Sequence, residues 1–291
     1  MGDPAAVPLT LPAAAGSGTV DVLALIVIGA VGGGYYRRSR RSDVGPAWCF
    51  YTGLTMWALT VCSAIGVYAP VLFWVRALQV LLLLYVVPFF LAAGRPVATF
   101  GPGAVVTGRA ARILLSPLTT SLAMLATPWL LYLTPWYIAS MGGVTGAATR
   151  LLLVVVGFGY FYARLQADPV PRRYSPLLSI GISIAEGLGD GILGIVLWLG
   201  PLIAQDYYTG LGRTWGPSLR TDQSVGAGIL WILGDVLALP FLLVLFRSLR
   251  THESARAEEV DAAMDARADA EPATTGLWWE SDPELRERFR R

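Results

Sequence analysis

Five ionisable side chains stand inside otherwise apolar stretches: Arg76, Arg150, Glu186, Asp190 and Asp235. If unpaired in a bilayer they would together cost roughly 12–17 kcal/mol on insertion scales, so most should be paired or hydrated. Glu186 and Asp190 are four residues apart and share one face of a helix. Two arginines against three acids form a candidate buried charge network. Its chemistry is either a proton or cation site or a set of ion pairs that fixes helix packing.

The other residue types exclude more than they offer. There is no lysine, so no retinal Schiff base can form. His252 is the single histidine and follows the last apolar stretch, which rules out paired axial haem ligation and a His-ligated metal site among the helices. Cys49 and Cys62 lie thirteen residues apart in one apolar stretch, on nearly opposite helix faces, and cannot join as a disulfide or a two-thiol clamp. Met56, Met124 and Met141 fall in three separate stretches and read as packing residues. No phosphate loop, nucleophile elbow or paired-cysteine motif is present. The chain therefore reads as a non-enzyme with no catalytic residues and no metal ligands of its own.

The elements that must position these charges are membrane helices. Hydrophobic residues make up 55% of the 291 residues and charged ones only 14%, against about 25% in soluble domains. Apolar stretches near 20–36, 47–68, 71–97, 113–133, 138–165, 177–204 and 223–246 are each long enough to span a bilayer. Arginines gather at Arg37–Arg41, at Arg95, Arg109 and Arg112, at Arg172–Arg173 and at Arg247–Arg250. The positive-inside rule puts these connections in the cytoplasm. The expected fold is all-α, a bundle of about seven transmembrane helices with the N-terminus outside and the C-terminus cytoplasmic. Residues 1–19 form a flexible segment without the basic start of a signal peptide, 20–247 the transmembrane domain, and 248–291 a polar cytoplasmic tail. That tail closes in a short basic helix capped by Ser281 and Glu284, with Trp278 and Trp279 beside it.

Several segments taken in order resemble one family. LLLLYVVPFFLAAGRPV, with Gln79 just before it, contains Pro88, Gly94 and Pro96. TPWY makes an outer turn. GFGYFYARLQADPVPRR contains Asp168 and Pro169. TDQSVGAGILWILGD contains Asp222, Gln223, Gly226 and Trp231. Together they resemble the polytopic CtaG-like (caa-type) cytochrome c oxidase assembly factors.

The resemblance implies a multi-pass protein of the bacterial plasma membrane that acts as a chaperone in the respiratory chain, delivering copper to the haem-copper oxidase or scaffolding its assembly. Its implied partners are the lipid bilayer, oxidase subunits or another copper protein, with no nucleic acid. Copper enters by resemblance alone. The family's third helix carries a His-x-x-x-His pair, and here Arg76 and Val80 occupy those positions. Further family histidines would fall at Gly146 and Arg150. A guanidinium donates hydrogen bonds but has no lone pair for a metal. The chain is therefore expected to be a divergent member without the imidazole site, an arginine standing where a metal cation would. The alternative is a transporter or ion-conducting protein that works through the five buried charges.

Overall fold

The computed structural model describes residues 6–40, 46–101, 108–165 and 176–233, with scattered positions from 235 to 266. Asp168, Pro169, Arg172, Arg173 and the capping pair Ser281 and Glu284 lie outside the described residues. The chain divides into two units, Met1–Leu245 and Phe246–Arg291; in the second, residues 260–266 are helical.

Helices begin where the sequence supplies an oxygen or a proline to meet free backbone amides. Thr10 caps the short α1 (Leu11–Gly16), and Asp21 Oδ1 accepts from Ala24 N at 3.1 Å to start α2 (Val22–Ser39). Next comes α3 (Ala47–Cys62). It stops because Thr19 N donates to the Cys62 carbonyl, and Ser63 then restarts the chain as α4 (Ala64–Tyr68). The expected second stretch is thus two helices.

The central helix is α5 (Phe73–Leu81), which runs through a π-helical turn at Leu82–Val86 into α6 (Val87–Ala93). Pro88 has no amide hydrogen and so cannot donate to the Leu84 carbonyl one turn back. The π turn, with Val87 N donating to Leu82 O, widens the ladder at this place. Gly94 ends α6, Arg95 adopts a left-handed conformation (φ 54°), and Pro96 opens α7 (Pro96–Phe100).

The second half contains α8 (Arg109–Leu114), α9 (Pro117–Leu133), α10 (Trp136–Ala139), α11 (Gly143–Leu165), α12 (Pro176–Leu199), α13 (Gln205–Gly210) and α14 (Leu219–Gly228), which enters a π turn at Ile229–Leu233. Among the described residues no strand occurs. The expected 113–133 stretch breaks at Ser116-Pro117, where Ser116 Oγ accepts from Thr119 N. The 138–165 stretch breaks before Gly143, whose φ is +61°. Gly200-Pro201 ends α12 short of Ala204.

Among the described residues three helices are long and apolar enough to cross a membrane: Phe73–Ala93, Gly143–Leu165 and Gly181–Leu199, with mean hydropathies of 2.1, 1.6 and 1.6. Ala47–Cys62 is a shorter apolar helix. Phe73–Ala93 is the most buried of the three candidates, with α3 and α11 packed on α6 and α14 packed on α5.

Two glycines set the closest approaches to this central helix. A methyl group at Gly157 of α11 would overlap the Leu84 carbonyl and the Pro88 ring, and one at Gly226 of α14 would overlap the Phe73 ring. Gly159, two residues along, has nothing within 4 Å of such a methyl. We expect Gly157→Ala to cost about 1–3 kcal/mol through overpacking, whereas Gly159→Ala should leave stability unchanged or raise it by up to about 1 kcal/mol from helix propensity. Thermal midpoints of the two purified variants in detergent check this; equal midpoints would mean that α11 can back away from the π turn.

Candidate functional site

The five sequence-predicted charges are distributed over three places along the helices. Arg76 lies one turn into α5 and is 2% exposed. Its Nη1 donates to Gln79 Oε1 at 2.8 Å, and its Nη2 donates to Ser140 Oγ at 2.7 Å and Ser140 O at 3.4 Å. Gln79 Nε2 donates in turn to the Thr60 carbonyl at 3.4 Å. Among the described residues Arg76 makes no ion pair, and neither its Nε nor the buried Tyr132 hydroxyl has a hydrogen-bond partner. The neighbouring Tyr137 and Tyr208 hydroxyls bond each other at 2.7 Å, and the Phe73 ring packs against Tyr132, Tyr137 and Tyr208. The cation is thus held by neutral oxygens beside a cluster of aromatic side chains.

Arg150 has a different partner. Its Nε donates to Asp21 Oδ2 at 2.7 Å, while Oδ1 of the same carboxylate caps α2. The pair ties α11 to the first residue before α2. Sequence reading missed Asp21, although its place directly ahead of an apolar run is a capping signal.

The third place gathers Glu186, Asp190 and Asp235 near the middle of α12. Glu186 Oε2 accepts from Arg164 Nη1 at 3.0 Å and from Tyr160 Oη at 2.6 Å. Arg164 also donates to Ser183 Oγ at 2.5 Å, and its guanidinium stacks over the Tyr160 ring at 4.8 Å. Asp190 Oδ2 accepts from Tyr85 Oη at 2.6 Å. Tyr85 belongs to the π turn, and a methyl group at Gly187 would stand 3.5 Å from Asp235 Oδ1. Asp235 itself is exposed. Arg164, 1% exposed, was hidden from sequence reading because it falls at the end of an apolar run, where an arginine reads as a solvated stop signal.

The described residues of the resemblance motifs act as joints between helices. Leu72, ahead of α5, has no side-chain oxygen to cap it. Asp222 supplies one from α14: Oδ1 accepts from Trp74 N at 3.0 Å and Oδ2 accepts from Arg213 Nη2 at 3.2 Å. Gln223 clasps the turn after α12, donating to Leu197 O at 2.7 Å and Pro201 O at 2.9 Å and accepting from Ile203 N at 2.7 Å. Trp231 packs against Gly191 and Gly194 of α12. The Gly94 carbonyl accepts from Tyr35 Oη at 2.8 Å, and Pro96 is buried at the start of α7.

A copper ion does not fit the positions where the resemblance puts imidazoles. Arg76, Val80, Gly146 and Arg150 offer two guanidinium groups, an isopropyl group and a backbone, none of them a side-chain lone-pair donor. Both guanidiniums are also already engaged in protein hydrogen bonds. Among the described residues no group of three His, Cys, Asp or Glu side chains is placed to hold a metal ion, and Cys49 and Cys62 are free thiols.

Breaking the Arg164–Glu186 pair from one side should leave a buried charge uncompensated. We expect Arg164→Met to cost about 3–5 kcal/mol of stability, and adding Glu186→Gln to recover more than half of that loss. Thermal midpoints of wild type, both single variants and the double variant give the coupling directly. Additive losses would mean that the two side chains do not depend on each other.

Comparison with known proteins gives the arrangement its context. Uncharacterised proteins of Mycobacterium bovis and Mycobacterium tuberculosis are each 25% identical over 260 residues, covering 83% of this chain and 39% of theirs. One of Mycobacterium leprae is 26% identical over 275 residues, covering 86% of this chain and 40% of its own. The chain thus spans about two fifths of the length of these curated relatives. No solved structure matches. The family model for the cytochrome c oxidase caa3 assembly factor (Caa3_CtaG) matches residues 30–252, in keeping with the ordered motifs of the central and last helices. The chain belongs to the cytochrome c oxidase caa3 assembly factor family.

Proposed function

We propose that this protein serves assembly of the haem-copper oxidase as a non-catalytic membrane scaffold and does not itself hold copper in transit. The observation that carries the reading is Arg76. At the position where the resemblance implies a copper-ligating imidazole, a buried guanidinium is fixed by Gln79 and Ser140. The positive charge that a metal would bring is supplied by the chain. Copper, if the pathway needs it here, would come with a separate copper protein, and oxidase subunits would be the other partner. The arginine clusters and apolar stretches favour seven spans in a bacterial plasma membrane, with the N-terminus outside and the tail in the cytoplasm. Transport through the buried charges has no comparable support. Arg150 and Arg164 are neutralised where they stand by Asp21 and Glu186.

Reduced-minus-oxidised haem spectra of membranes from a deletion strain, grown with and without added copper, test the assignment. A scaffold role predicts loss of the a-type haem signal that copper does not restore. Restoration by copper would return the protein to copper delivery, and an unchanged spectrum would remove it from oxidase assembly.

The missing-ligand reading has its own check. Purified wild-type protein should retain no copper after gel filtration, whereas Arg76→His combined with Val80→His rebuilds an i, i+4 imidazole pair that can hold it. Stoichiometric copper on the wild type would overturn the scaffold reading.

A further inference from the structure

A groove of about 390 Å³ runs between α2, α3, α7 and α11, within the roughly 300–1,000 Å³ range of small-molecule sites. Its walls include Val27, Val31, Trp57, Leu91, Phe100 and Val155, and no charged side chain lines it. Water gains nothing from such a surface, and a void of this size forfeits dispersion contacts along every wall.

Two cations lie beyond one end of the groove. Beyond Val31, α2 continues to Gly34, where a methyl group would stand 3.1 Å from the Phe100 ring. Tyr35 fixes this level by donating to the Gly94 carbonyl at 2.8 Å. Arg38 follows Gly34 by one turn on the same face, with Arg37 beside it, and both are exposed. Among the described residues neither makes an ion pair. From Val27 to Arg38 the helix rises about 16 Å. That is close to half of the ~30 Å hydrocarbon core, the depth that one leaflet's acyl chain fills. An apolar slot whose far wall lies about one leaflet's depth from two exposed cations is complementary to one class of molecule.

We propose that this groove holds an acyl chain of an anionic glycerophospholipid whose phosphate rests on Arg37 and Arg38. Basic positions between membrane helices select anionic headgroups through charge, while the slot selects only for a chain. Affinity should therefore separate into two parts: the slot serves any chain of the right length, and the arginines distinguish anionic from zwitterionic lipids. The site stands apart from the buried charges and from the oxidase reading.

Native mass spectrometry of the full chain in detergent tests this with phosphatidylglycerol and phosphatidylcholine carrying identical acyl chains. The wild type should retain one phosphatidylglycerol at least fivefold more tightly than phosphatidylcholine. Arg38→Gln should weaken phosphatidylglycerol about fivefold, the equivalent of the ~1 kcal/mol that one surface cation contributes, and leave phosphatidylcholine unchanged. Val31→Trp and Val155→Trp fill the groove from opposite walls and should lower retention of both lipids. Val31 and Val155 are 36% and 56% exposed, so either can be enlarged without entering the core, and one folded variant suffices. Equal retention of the two lipids by the wild type, or wild-type retention by a folded groove-filled variant, would show only general lipid at the protein surface and overturn the site.

Discussion

Inside a bilayer no water is available to satisfy a polar group, so a buried guanidinium must be met by oxygens from its own protein. That constraint governs the arrangement of this molecule. Arg76 draws Gln79 from its own helix and Ser140 from the turn after α10. Arg150 draws Asp21, and Arg164 draws Glu186, Tyr160 and Ser183. Each arginine therefore fixes a contact between segments distant in sequence, which dispersion between apolar helices would leave free to slide. Arg76 is the exception in charge though not in geometry, since its hydrogen-bond partners are all neutral. Three oriented oxygens, from Gln79 and Ser140, stand in for its hydration.

The helical class and the family were legible in the sequence, because long apolar stretches and ordered motifs are properties of a single line of residues. Breaks at Ser63, Ser116 and Gly143 were less so. A polar hydroxyl inside an apolar run is equally compatible with continuing a helix and with capping a new one. The decision rests on partners elsewhere, such as the Thr19 amide that occupies the Cys62 carbonyl. Of the candidate charges, the chain gave the residue types and not the pairings. Two acids four residues apart on α12 looked like one site, yet Glu186 meets Arg164 and Asp190 meets Tyr85. Tyrosines and serines carry much of the satisfaction, and no pattern of charge alone predicts them.

The motif residues also change meaning once placed. Asp222, in sequence only a position within a motif, caps α5 across 148 positions of chain, and Gln223 holds the turn between α12 and α13. Asp222 thereby closes the two halves of the fold on each other, and Gln223 fixes a turn within the second half. Joints of this kind hold the architecture independently of the groups lining its interior, so a buried arginine whose hydrogen bonds are met can stand there without loss of the bundle.

Arg150, Gly157 and Arg164 are spaced by sevens along α11. On a helix that interval returns to nearly the same face after about 10 Å of rise. One stripe thus carries an anchoring cation, a contact that admits no side chain, and a second anchoring cation. The middle point seats α11 against the π turn with no room for a side chain, and the outer two hold it against rotation and translation. Any side chain introduced at position 157 acts as a fulcrum: lifting the middle of the rod strains both ion pairs at once, so a single added methyl group is felt some 10 Å away in either direction.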